Sequence, residues 1–390
     1  MKRKCFVCGK SKKEIIHHQK FGRFNGEMVF NYAVVVCKEC GAVFADETPP
    51  QKIYDAYYRD MSKYEELAEE SRVSLDLHSA HERIAVIVSR FLRNKNAKIL
   101  DIGCATGDAL FEFKRKGYEN VSGIDPAPHC RKIAQQLYGV DVETATLSTW
   151  DPAPGSYDLI TLSHVLEHVI DVGTVLKKLY QALTSTGFLY IEVPAAHQFM
   201  KKPEGFFEHF SMEHVNYYSP KTLTSLMRRF GFKEEYLKIE KNEKGFYPYF
   251  PVINSLWKKG GDVRFVIQHT DELERSIRKY VDFNRLATQK VIQKVGEIVQ
   301  TKTPIILWGA GSHTLKLFAY TNIKEANIVA IVDDTKRLQD KKIEGISIQP
   351  HSSIIDTKAT ILISSSMVQE KIKQRIQKVL KLKNKILTLY

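Results

Sequence analysis

The ten residues from Ile99 to Asp108 constrain the fold of this chain more than any other stretch. Their sequence, Ile-Leu-Asp-Ile-Gly-Cys-Ala-Thr-Gly-Asp, predicts a short buried strand, a tight turn with two glycines and the start of a helix. Gly103 and Gly107 allow the backbone to bend sharply and to approach a ligand with no Cβ in the way. Asp101 falls at the carboxyl end of the predicted strand, where open α/β sheets bind their ligands. A carboxylate at that point suits an ammonium or hydroxyl group better than a phosphate.

A second short strand, Val121-Ser-Gly-Ile-Asp125, ends in an acid 24 residues after Asp101. That spacing is typical of α/β units that present a carboxylate to a ribose diol. With its D-x-G-x-x-x-G motif, the chain resembles the class I S-adenosylmethionine-dependent methyltransferases. The resemblance implies that Gly103 and Gly107 approach the methionine part of the cofactor and that Asp125 binds the ribose hydroxyls. The predicted cofactor site consists of Asp101, Gly103, Gly107, Asp125, Pro126, Leu147 and Ser163.

Two alternatives remain for this turn. A dinucleotide site normally has the pattern G-x-G-x-x-G, whereas this turn has only two glycines, four residues apart. A nucleotide-binding fold without activity is the other alternative. Many class I members carry an acid after the third strand that binds the adenine amine. The corresponding segment here is Thr146-Leu-Ser148. We therefore expect adenine to be recognised through the main chain.

Length and charge limit the possible classes of protein. A chain of 390 residues is long enough for two or three domains, and no apolar run approaches the ~20 residues of a membrane span. The first residues, Met-Lys-Arg-Lys-Cys, lack the apolar stretch of a signal peptide, so we expect a cytoplasmic protein. The net charge of +13 favours a phosphate-bearing partner, such as a nucleic acid, an anionic surface or a nucleotide-linked small molecule.

Four of the six cysteines form two C-x-x-C pairs, each followed by glycine: Cys5, Cys8, Cys37 and Cys40. Two such pairs can supply four thiolates in a tetrahedron, so we predict a structural zinc site within residues 1–60. Met28-Val-Phe30 and Tyr32–Val36 between the pairs predict a β-hairpin. Reduced thiols or a redox pair are the alternatives. The hairpin lacks interleaved aromatic and arginine residues, which argues against a nucleic-acid surface.

Strands and helices alternate after the first turn, which predicts a parallel α/β sheet with right-handed crossovers. The strands Tyr157–Ser163 and Leu189–Val193 continue this pattern. We predict a methyltransferase domain over residues 61–235, with the tyrosine-rich Ile53–Tyr64 as a helical cover before it. A connecting segment with a long helix capped at Thr270 follows over residues 236–301, and a smaller Rossmann-like α/β lobe over residues 302–390.

The stretch from Phe206 to Ser219 is the predicted acceptor side of the site, because the pairs Glu208-His209 and Glu213-His214 lie among aromatic residues. A histidine beside a carboxylate can be tuned for general-base work. Our first candidate base is His214 with Glu213, followed by His209 and then by His164, which follows Ser163 at the sheet edge. We also place Tyr217 and Tyr218 against the acceptor. Alternatively, the histidines only pin a lid by hydrogen bonds, and His168 is a packing or capping residue.

This stretch, the cysteine-rich start and the glycine loop near Gly309 together resemble the bacterial nucleotide-sugar C-methyltransferases. That family carries a Y-H-E-H-F-S-Y-F-S segment whose proposed catalytic Glu and His fall on Glu213 and His214. The family's tyrosine and the following histidine fall on Ser211 and Met212 here. This departure puts C-methylation in question and makes O- or N-methylation of a related sugar an alternative.

The C-terminal lobe begins with a strand and glycine turn, Ile305–Ser312, and Ile328–Asp334 is a second strand ending in acids. In the resembling family this lobe closes over the nucleotide-sugar and binds no redox cofactor. The predicted acceptor contacts in this lobe are Gly309, Gly311, Ser312 and His313. An NAD site is the alternative, since G-x-G alone is a weak signal.

The sequence thus predicts a methyltransferase that uses S-adenosylmethionine and a structural zinc ion, and that acts on a sugar or nucleotide-sugar. A methyltransferase for RNA, a protein or another small molecule is the first alternative, because of the predicted zinc site and the positive charge. A non-catalytic binding or scaffold protein with a methyltransferase fold is the second. We expect a monomer or a weak oligomer.

Overall fold

The computed structural model describes residues 2–25, 28–60, 75–201, 205–241, 251–261 and 269–390. The chain divides into two compact units, each assembled from three stretches. The first unit comprises Met1–Ile15, Val35–Lys202 and Glu213–Ile277. The second comprises Ile16–Val34, Pro203–Met212 and Arg278–Tyr390. Among the described residues, no helix has both the length and the apolar composition needed to cross a membrane.

The helices, in chain order, are α1 Gln51–Asp60, α2 Leu75–Ser89, α3 Asp108–Arg115, α4 Pro128–Tyr138, α5 Val172–Ala182, α6 Pro220–Arg229, α7 Asp271–Thr301, α8 Ser312–Tyr320 and α9 Gln369–Gln374. The strands are β1 Lys13–Gln19, β2 Phe24–Asn25, β3 Tyr32–Cys37, β4 Val43–Asp46, β5 Ile99–Ile102, β6 Val121–Asp125, β7 Asp141–Thr144, β8 Tyr157–Ser163, β9 Leu183–Pro194, β10 Asn216–Tyr217, β11 Phe232–Lys241, β12 Pro251–Lys259, β13 Ile305–Trp308, β14 Ile328–Val332, β15 Lys342–Ile343, β16 Ile346–Gln349, β17 Thr360–Ile363 and β18 Ile386–Thr388.

The first unit is built on a seven-stranded sheet in the order β11-β12-β9-β8-β5-β6-β7. Strands β5 to β9 are parallel, as the alternating pattern predicts, and β12 and β11 add an antiparallel edge. The strand order reverses at β5, between β6 and β8. The crevice at the carboxyl ends of β5 and β8 is therefore where this fold class binds ligands.

Apolar residues of α2, α3 and the neighbouring strands form the core beneath this crevice, with Ile84, Leu110, Phe113 and Leu159 almost fully buried. Burying a side chain of this size stabilises the fold by roughly 1.5–3 kcal/mol. This packing holds the strand ends in fixed positions.

The predicted connecting segment contributes to this sheet. Strands β11 and β12 lie within or beside residues 236–301, and β12 pairs with β9 from Val252 opposite Pro194 to Lys258 opposite Phe188. Strand β11 has no clear signal in the sequence, because its charged residues suit an exposed edge strand and interrupt the apolar pattern. The Gly245–Tyr249 part of the predicted linker and the Met61–Tyr64 part of the predicted helical cover lie outside the described residues.

A smaller sheet has the order β1-β3-β4-β10, and the boundary between the two units falls within β1 and β3. The predicted strand at Tyr32–Val36 is confirmed as β3, but the one at Met28–Phe30 was wrong. In its place, β1 pairs with β3, and His17 and Gln19 of β1 are buried. A polar strand of this kind escapes a search for alternating apolar residues.

The second unit contains another seven-stranded sheet, in the order β18-β17-β13-β14-β16-β15-β2. The strands β18, β17, β13, β14 and β16 are parallel neighbours. Strands β13 and β14 lie where the sequence predicts them. The long helix α7 begins directly after Thr270, as predicted, and the boundary between the units falls within it, after Ile277.

Candidate functional site

The glycine turn after β5 has the tight geometry that its sequence predicts. Gly103 has a φ of 71° and Gly107 a φ of 86°, both in the left-handed region that favours glycine. A Cβ atom on Gly103 would lie 2.6 Å from Val165 Cγ2, and one on Gly107 would lie 2.8 Å from Val140 Cγ2. The turn therefore requires glycine at both positions, and helix α3 starts immediately after it.

Asp125 ends β6 and is 7% exposed. One carboxylate oxygen accepts the N–H of Ala105 in the glycine turn at 2.9 Å, and the other accepts the N–H of Ala127 at 2.9 Å. Burial raises the pKa of this carboxyl, against these two hydrogen bonds. A carboxylate oxygen can accept more than one hydrogen bond, so each oxygen retains capacity for a hydroxyl donor. The two N–H groups thus fix the orientation of the Asp125 carboxylate.

Asp101 is 4% exposed at the end of β5. The Thr161 hydroxyl donates to its carboxyl at 2.5 Å, across the pairing of β5 with β8. Burial raises its pKa to about 7, and nearby Asp125 contributes in the same direction. Asp101 is therefore a buried acid that keeps its proton to a higher pH than an exposed aspartate does.

His164 is the first residue after β8, and its backbone is left-handed with a φ of 55°. Its two ring nitrogens face two buried carboxylates: Nδ1 lies 3.1 Å from Glu167 Oε1, and Nε2 lies 3.2 Å from Glu192 Oε1. Burial disfavours the protonated ring, but these two partners outweigh it and raise the pKa of His164 to about 10. The side chain keeps 42% of its surface exposed. His164 is thus a fixed cation and hydrogen-bond donor at neutral pH.

Glu192 joins His164 to the adjacent strand β9. Its carboxylate also accepts from Arg83 Nη2 at 2.7 Å and from the Ser163 hydroxyl at 3.2 Å. Burial would raise the pKa of Glu192, yet His164 and Arg83 lower it to about 2. Sequence analysis missed Glu192 and Arg83. The available signal was a charged residue inside the apolar strand Leu189–Val193, because an unpaired charge is rarely buried.

Glu167, His168 and His214 converge beside His164. One carboxylate oxygen of Glu167 and one ring nitrogen from each histidine all lie within 4.8 Å of one another. The His168 and His214 rings have centroids 4.9 Å apart. Burial lowers the pKa of His214 to about 4, so its ring is neutral at neutral pH and can accept a proton. Sequence analysis named His214 but left Glu167 unassigned and treated His168 as a packing or capping residue.

The His168 ring is held by polar contacts on its other side. Its Nδ1 lies 3.0 Å from the carbonyl oxygen of Glu213, and a carbonyl only accepts, so Nδ1 carries the proton. The Tyr58 hydroxyl lies 2.9 Å from the same nitrogen. The Glu213 carboxylate accepts from the hydroxyls of Tyr57 and Tyr58, each at 3.4 Å. Helix α1 therefore supplies tyrosines to this cluster.

Other predicted residues make contacts of their own. Tyr217 and Tyr218 are almost completely buried, and the Tyr218 hydroxyl donates to the Leu166 carbonyl at 3.2 Å. The contact division places His209 in the second unit, where its N–H donates to the Tyr280 hydroxyl at 3.0 Å. Pro126 follows Asp125 and is partly buried, and the Leu147 carbonyl accepts from Lys178 Nζ at 3.0 Å. The roles assigned to these residues stay predictions.

In the second unit, Gly309 follows β13, and Gly311 precedes Ser312, the first residue of α8. Gly309 has a φ of 110°. His313 is buried, with Nδ1 3.1 Å from the Ser364 hydroxyl and Nε2 3.0 Å from the Tyr390 hydroxyl. Burial lowers the pKa of His313 to about 3. Both ring nitrogens are therefore engaged within this unit.

The four predicted metal-binding cysteines come together in the first unit. Their sulfur atoms all lie within 4.8 Å of one another, with Cys5 and Cys40 3.6 Å apart and Cys8 and Cys37 3.5 Å apart. Four thiolates at ~2.3 Å from one ion have sulfur separations close to these, so the arrangement fits a tetrahedral zinc centre. All four cysteines are buried and none forms a disulfide. A tetrahedral centre with four sulfur ligands has no open position for a substrate.

Two family models match the chain. Residues 77–237 match a family described as "Methyltransferase domain", and residues 301–387 match one described as "C2185-like, N-terminal". The first match spans the glycine turn, Asp125 and the His164–His168 segment. Together with the sheet topology, it identifies residues 77–237 as a domain with the class I methyltransferase fold.

Among curated proteins, the chain is 31% identical over 121 residues to a ubiquinone biosynthesis O-methyltransferase of Hydrogenovibrio crunogenus. That alignment covers 29% of this chain and 49% of the relative. A mitochondrial protein of the same name from Bos taurus is 31% identical over 143 residues, covering 32% of this chain and 38% of the relative. The chain thus spans about half, or less, of the length of these relatives.

Among solved structures, the chain is similar to the 1,6-didemethyltoxoflavin-N1-methyltransferase of Burkholderia thailandensis, solved with S-adenosylhomocysteine. The identity is 17%, the TM-score is 0.44, and the match covers 59% of this chain and 96% of that one. A second similar structure is a methyltransferase of Methanosarcina mazei, with 17% identity, a TM-score of 0.40 and coverage of 45% and 98%.

Proposed function

With a class I methyltransferase domain as the premise, we propose that this protein transfers a methyl group from S-adenosylmethionine to a small molecule, and that the acceptor is a sugar or nucleotide-linked sugar. One observation carries the proposal. The glycine turn and Asp125 at the ends of β5 and β6 lie in the same sheet edge as the histidine and glutamate cluster that follows β8. A donor site and a proton-accepting site thus share one crevice.

The residues of the turn fit the cofactor. The turn has no room for a Cβ at Gly103 or Gly107, and the Asp125 carboxylate is oriented by two backbone N–H groups while keeping acceptor capacity for a diol. Asp101, Pro126, Leu147 and Ser163 complete the proposed binding set. When bound, S-adenosylmethionine supplies a methyl group on a sulfonium, which is already activated for displacement.

The chain itself must align the acceptor, exclude water and remove the acceptor proton. We assign the proton to His214, because its ring is neutral and lies beside the Glu167 carboxylate, which stabilises the imidazolium as it forms. The His214 ring nitrogen would take the acceptor proton, which frees an electron pair of the acceptor to form the bond to the methyl group that S-adenosylmethionine would supply, with S-adenosylhomocysteine as the leaving group. His164 binds Glu167 and Glu192 through its two ring nitrogens and so helps to orient the Glu167 carboxylate that lies beside His214.

The acceptor assignment rests on the resemblance of Glu213 and His214 to the nucleotide-sugar enzymes and on the second α/β unit, which carries the Gly309 turn. The curated relatives are named O-methyltransferases, and this supports a hydroxyl group as the acceptor. The four-cysteine centre is proposed to hold zinc in a structural role.

The test has two steps. Calorimetry of the full chain with S-adenosylmethionine and S-adenosylhomocysteine first measures donor binding. Mass spectrometry with labelled S-adenosylmethionine then follows methyl transfer to a panel of nucleotide-linked hydroxy- and keto-sugars. We expect donor binding and label in at least one sugar. Absence of donor binding would support a non-catalytic binding protein.

A substrate of another class has one supporting observation, the net charge of +13. The same labelled donor is therefore offered to RNA at low and high salt. Label in RNA, with binding that weakens steeply as salt rises, would replace the sugar by a nucleic acid.

A further inference from the structure

Arg3 is a buried arginine between two exposed lysines, Lys2 and Lys4. Only 6% of its surface is exposed, so its charge has been taken out of water at a cost in solvation. Its guanidinium offsets that cost by donating four hydrogen bonds. Nη1 donates to Ala45 O at 2.8 Å and to Val215 O at 3.0 Å. Nη2 donates to Ile170 O at 2.9 Å and to Asn216 Oδ1 at 2.8 Å.

Three of these acceptors flank the residues of the proposed site. Ile170 lies two residues after His168, and Val215 and Asn216 directly follow His214. The fork of Arg3 therefore ties the segment that carries Glu167 and His168 to the segment that carries His214. A planar fork with fixed donors can do this, whereas a lysine ammonium cannot match the same geometry.

Asn216 completes the link from the other side. Its amide nitrogen donates to Leu166 O at 3.2 Å and to Val169 O at 2.7 Å, and the Val215 N–H donates to Glu167 O at 2.8 Å. We call Arg3 and Asn216 together the Arg3–Asn216 clasp. The guanidinium of Arg3 and the amide of Asn216 bond to backbone and side-chain partners within the first unit. These bonds hold the Glu167–His168 segment and the His214 segment in a fixed position relative to each other.

The clasp is anchored in the cysteine module. Arg3 lies two residues before Cys5, and its own N–H donates to Asp46 Oδ1 at 2.6 Å. Lys13 donates to the Arg3 carbonyl at 2.7 Å and pairs with Asp46 at 2.7 Å. The fold of the module around its four thiols thus sets where the guanidinium lies.

We propose that Arg3 is a positioning residue, which sets the distance between His168 and His214 and so couples the integrity of the four-cysteine centre to methyl transfer. This inference rests on the proposed function, because it assigns Arg3 a task at the same site. The four-cysteine centre then does more than fold its own module: it holds one end of the device that aligns the proton acceptor.

The test compares Arg3→Ala with two control variants. Lys4→Ala removes the same charge from the neighbouring exposed position. Arg229→Ala removes an arginine that donates to Val7 O in the cysteine module at 2.7 Å but does not contact the histidine segments through that bond. We expect kcat to fall at least ~10-fold in Arg3→Ala, with KM for the donor and the S-adenosylhomocysteine Kd within ~3-fold of wild type. Both controls should stay within ~3-fold in kcat.

Two further variants keep the test decisive if Arg3→Ala is not recovered folded. Arg3→Lys retains the charge but not the fork, so its kcat should lie between wild type and Arg3→Ala. Asn216→Asp preserves the shape but loses the two amide donors, and should lower kcat while donor affinity is retained. Removing the metal by chelation should lower kcat in the wild type more than in Arg3→Ala, where the coupling is already absent.

Hydrogen exchange separates failure of this inference from failure of the proposed function. If the wild type transfers no methyl group, the proposed function fails, and the clasp is then judged by amide protection of residues 166–170 and 215–217. Protection lost in Arg3→Ala but kept in Lys4→Ala supports the clasp. Equal kcat in Arg3→Ala and the controls, equal protection, or a parallel loss of kcat and donor binding, would overturn it.

Discussion

The two α/β units contain the same corner, built from different sequences. In each, the first glycine after the leading strand donates its N–H to the strand that follows, from Gly103 to Ile124 O and from Gly309 to Val332 O, both at 2.8 Å. In each, the acid at the carboxyl end of that strand accepts one N–H from the glycine turn. It accepts a second N–H from the residue two positions after the acid itself. These bonds to Asp125 and Asp333 range from 2.8 to 2.9 Å.

The units differ in what surrounds the corner. Two residues before the glycine, the first unit has buried Asp101 and the second has buried Leu307. The leading strand is flanked on its other side by β8 in the first unit and by β17 in the second. At the end of that flanking strand, the first unit places His164 between two carboxylates, whereas the second places Ser364 against His313. The backbone corner alone therefore does not specify a chemistry. The side chains at the neighbouring strand ends do.

The first prediction, with the largest change in free energy, concerns Asp101, whose place in the second corner is taken by Leu307. The folded pKa of Asp101, about 7, lies above its ordinary value of 3.8, so the folded chain holds this proton more tightly than the unfolded chain. Its contribution to stability is therefore present below about pH 4 and is lost as the pH rises through about 7. In Asp101→Asn, the fall in unfolding free energy between pH 4 and pH 8 should be smaller by up to about 4 kcal/mol.

Denaturant titrations of the cofactor-free chain at both pH values measure this difference. Leu307→Ala serves as the matched change in the second unit, because it alters a buried residue at the same place but introduces no titrating group. An Asp101→Asn profile parallel to that of the wild type would show that the two corners do not differ in this respect.

The second prediction compares a histidine from each unit. His214→Ala should lower kcat by about 100-fold or more, because it removes the proposed acceptor of the substrate proton, and should leave S-adenosylhomocysteine affinity nearly unchanged. His351→Ala, which removes a histidine paired with Asp334 in the second unit, should change kcat by less than about 3-fold. Steady-state kinetics and calorimetry check both. An active His214→Ala enzyme would remove this residue from the base role.

The third prediction compares the two acids of the shared corner. Asp125→Ala should weaken S-adenosylhomocysteine binding by about 10- to 100-fold, the effect of losing one or two hydrogen bonds to a charged group. Asp333→Ala removes the acid that accepts the equivalent backbone bonds in the second unit. It should leave that affinity within about 2-fold. Calorimetric titration of both variants decides the matter. Equal losses would mean that the donor depends on both corners alike.

The smallest effect concerns the glycines. Gly107→Ala forces a Cβ into contact with Val140 at a φ of 86°, and should destabilise the chain by about 1–2 kcal/mol. Gly311→Ala meets no atom within 4 Å and has a negative φ, so it should change stability by less than about 0.5 kcal/mol. Thermal unfolding of the two variants measures the contrast, which vanishes if both turns tolerate alanine equally.

Much of the first sheet could be predicted because its signals are local. The strand from Ile99 to Ile102, the turn glycines and the acid at 125 follow from hydrophobic runs and backbone sterics within a few residues of each other. The four cysteines could also be grouped, since a shared metal explains two C-x-x-C pairs. Strands β1 and β11 could not, because polar and charged residues interrupt their apolar pattern and they become strands only through pairing with other strands.

The site divides in the same way. His214 could be named because it follows a glutamate among aromatic residues, but its neighbours Glu167 and His168 come from a segment about 45 residues earlier. Glu192 stands out as a charge inside an apolar strand, but its task and that of Arg83 follow only when the two residues and His164 are known to lie within hydrogen-bond distance.

Sterics and periodicity act between residues that are close along the chain. The glycine corner, the acids at the strand ends, the alternation of strands and helices, and the two thiol pairs can therefore be predicted from the residues alone. Burial and electrostatic pairing depend on distances in space, so the charges that face each other, the cationic state of His164 and the link from Arg3 to the segments of His168 and His214 emerge only from the folded chain.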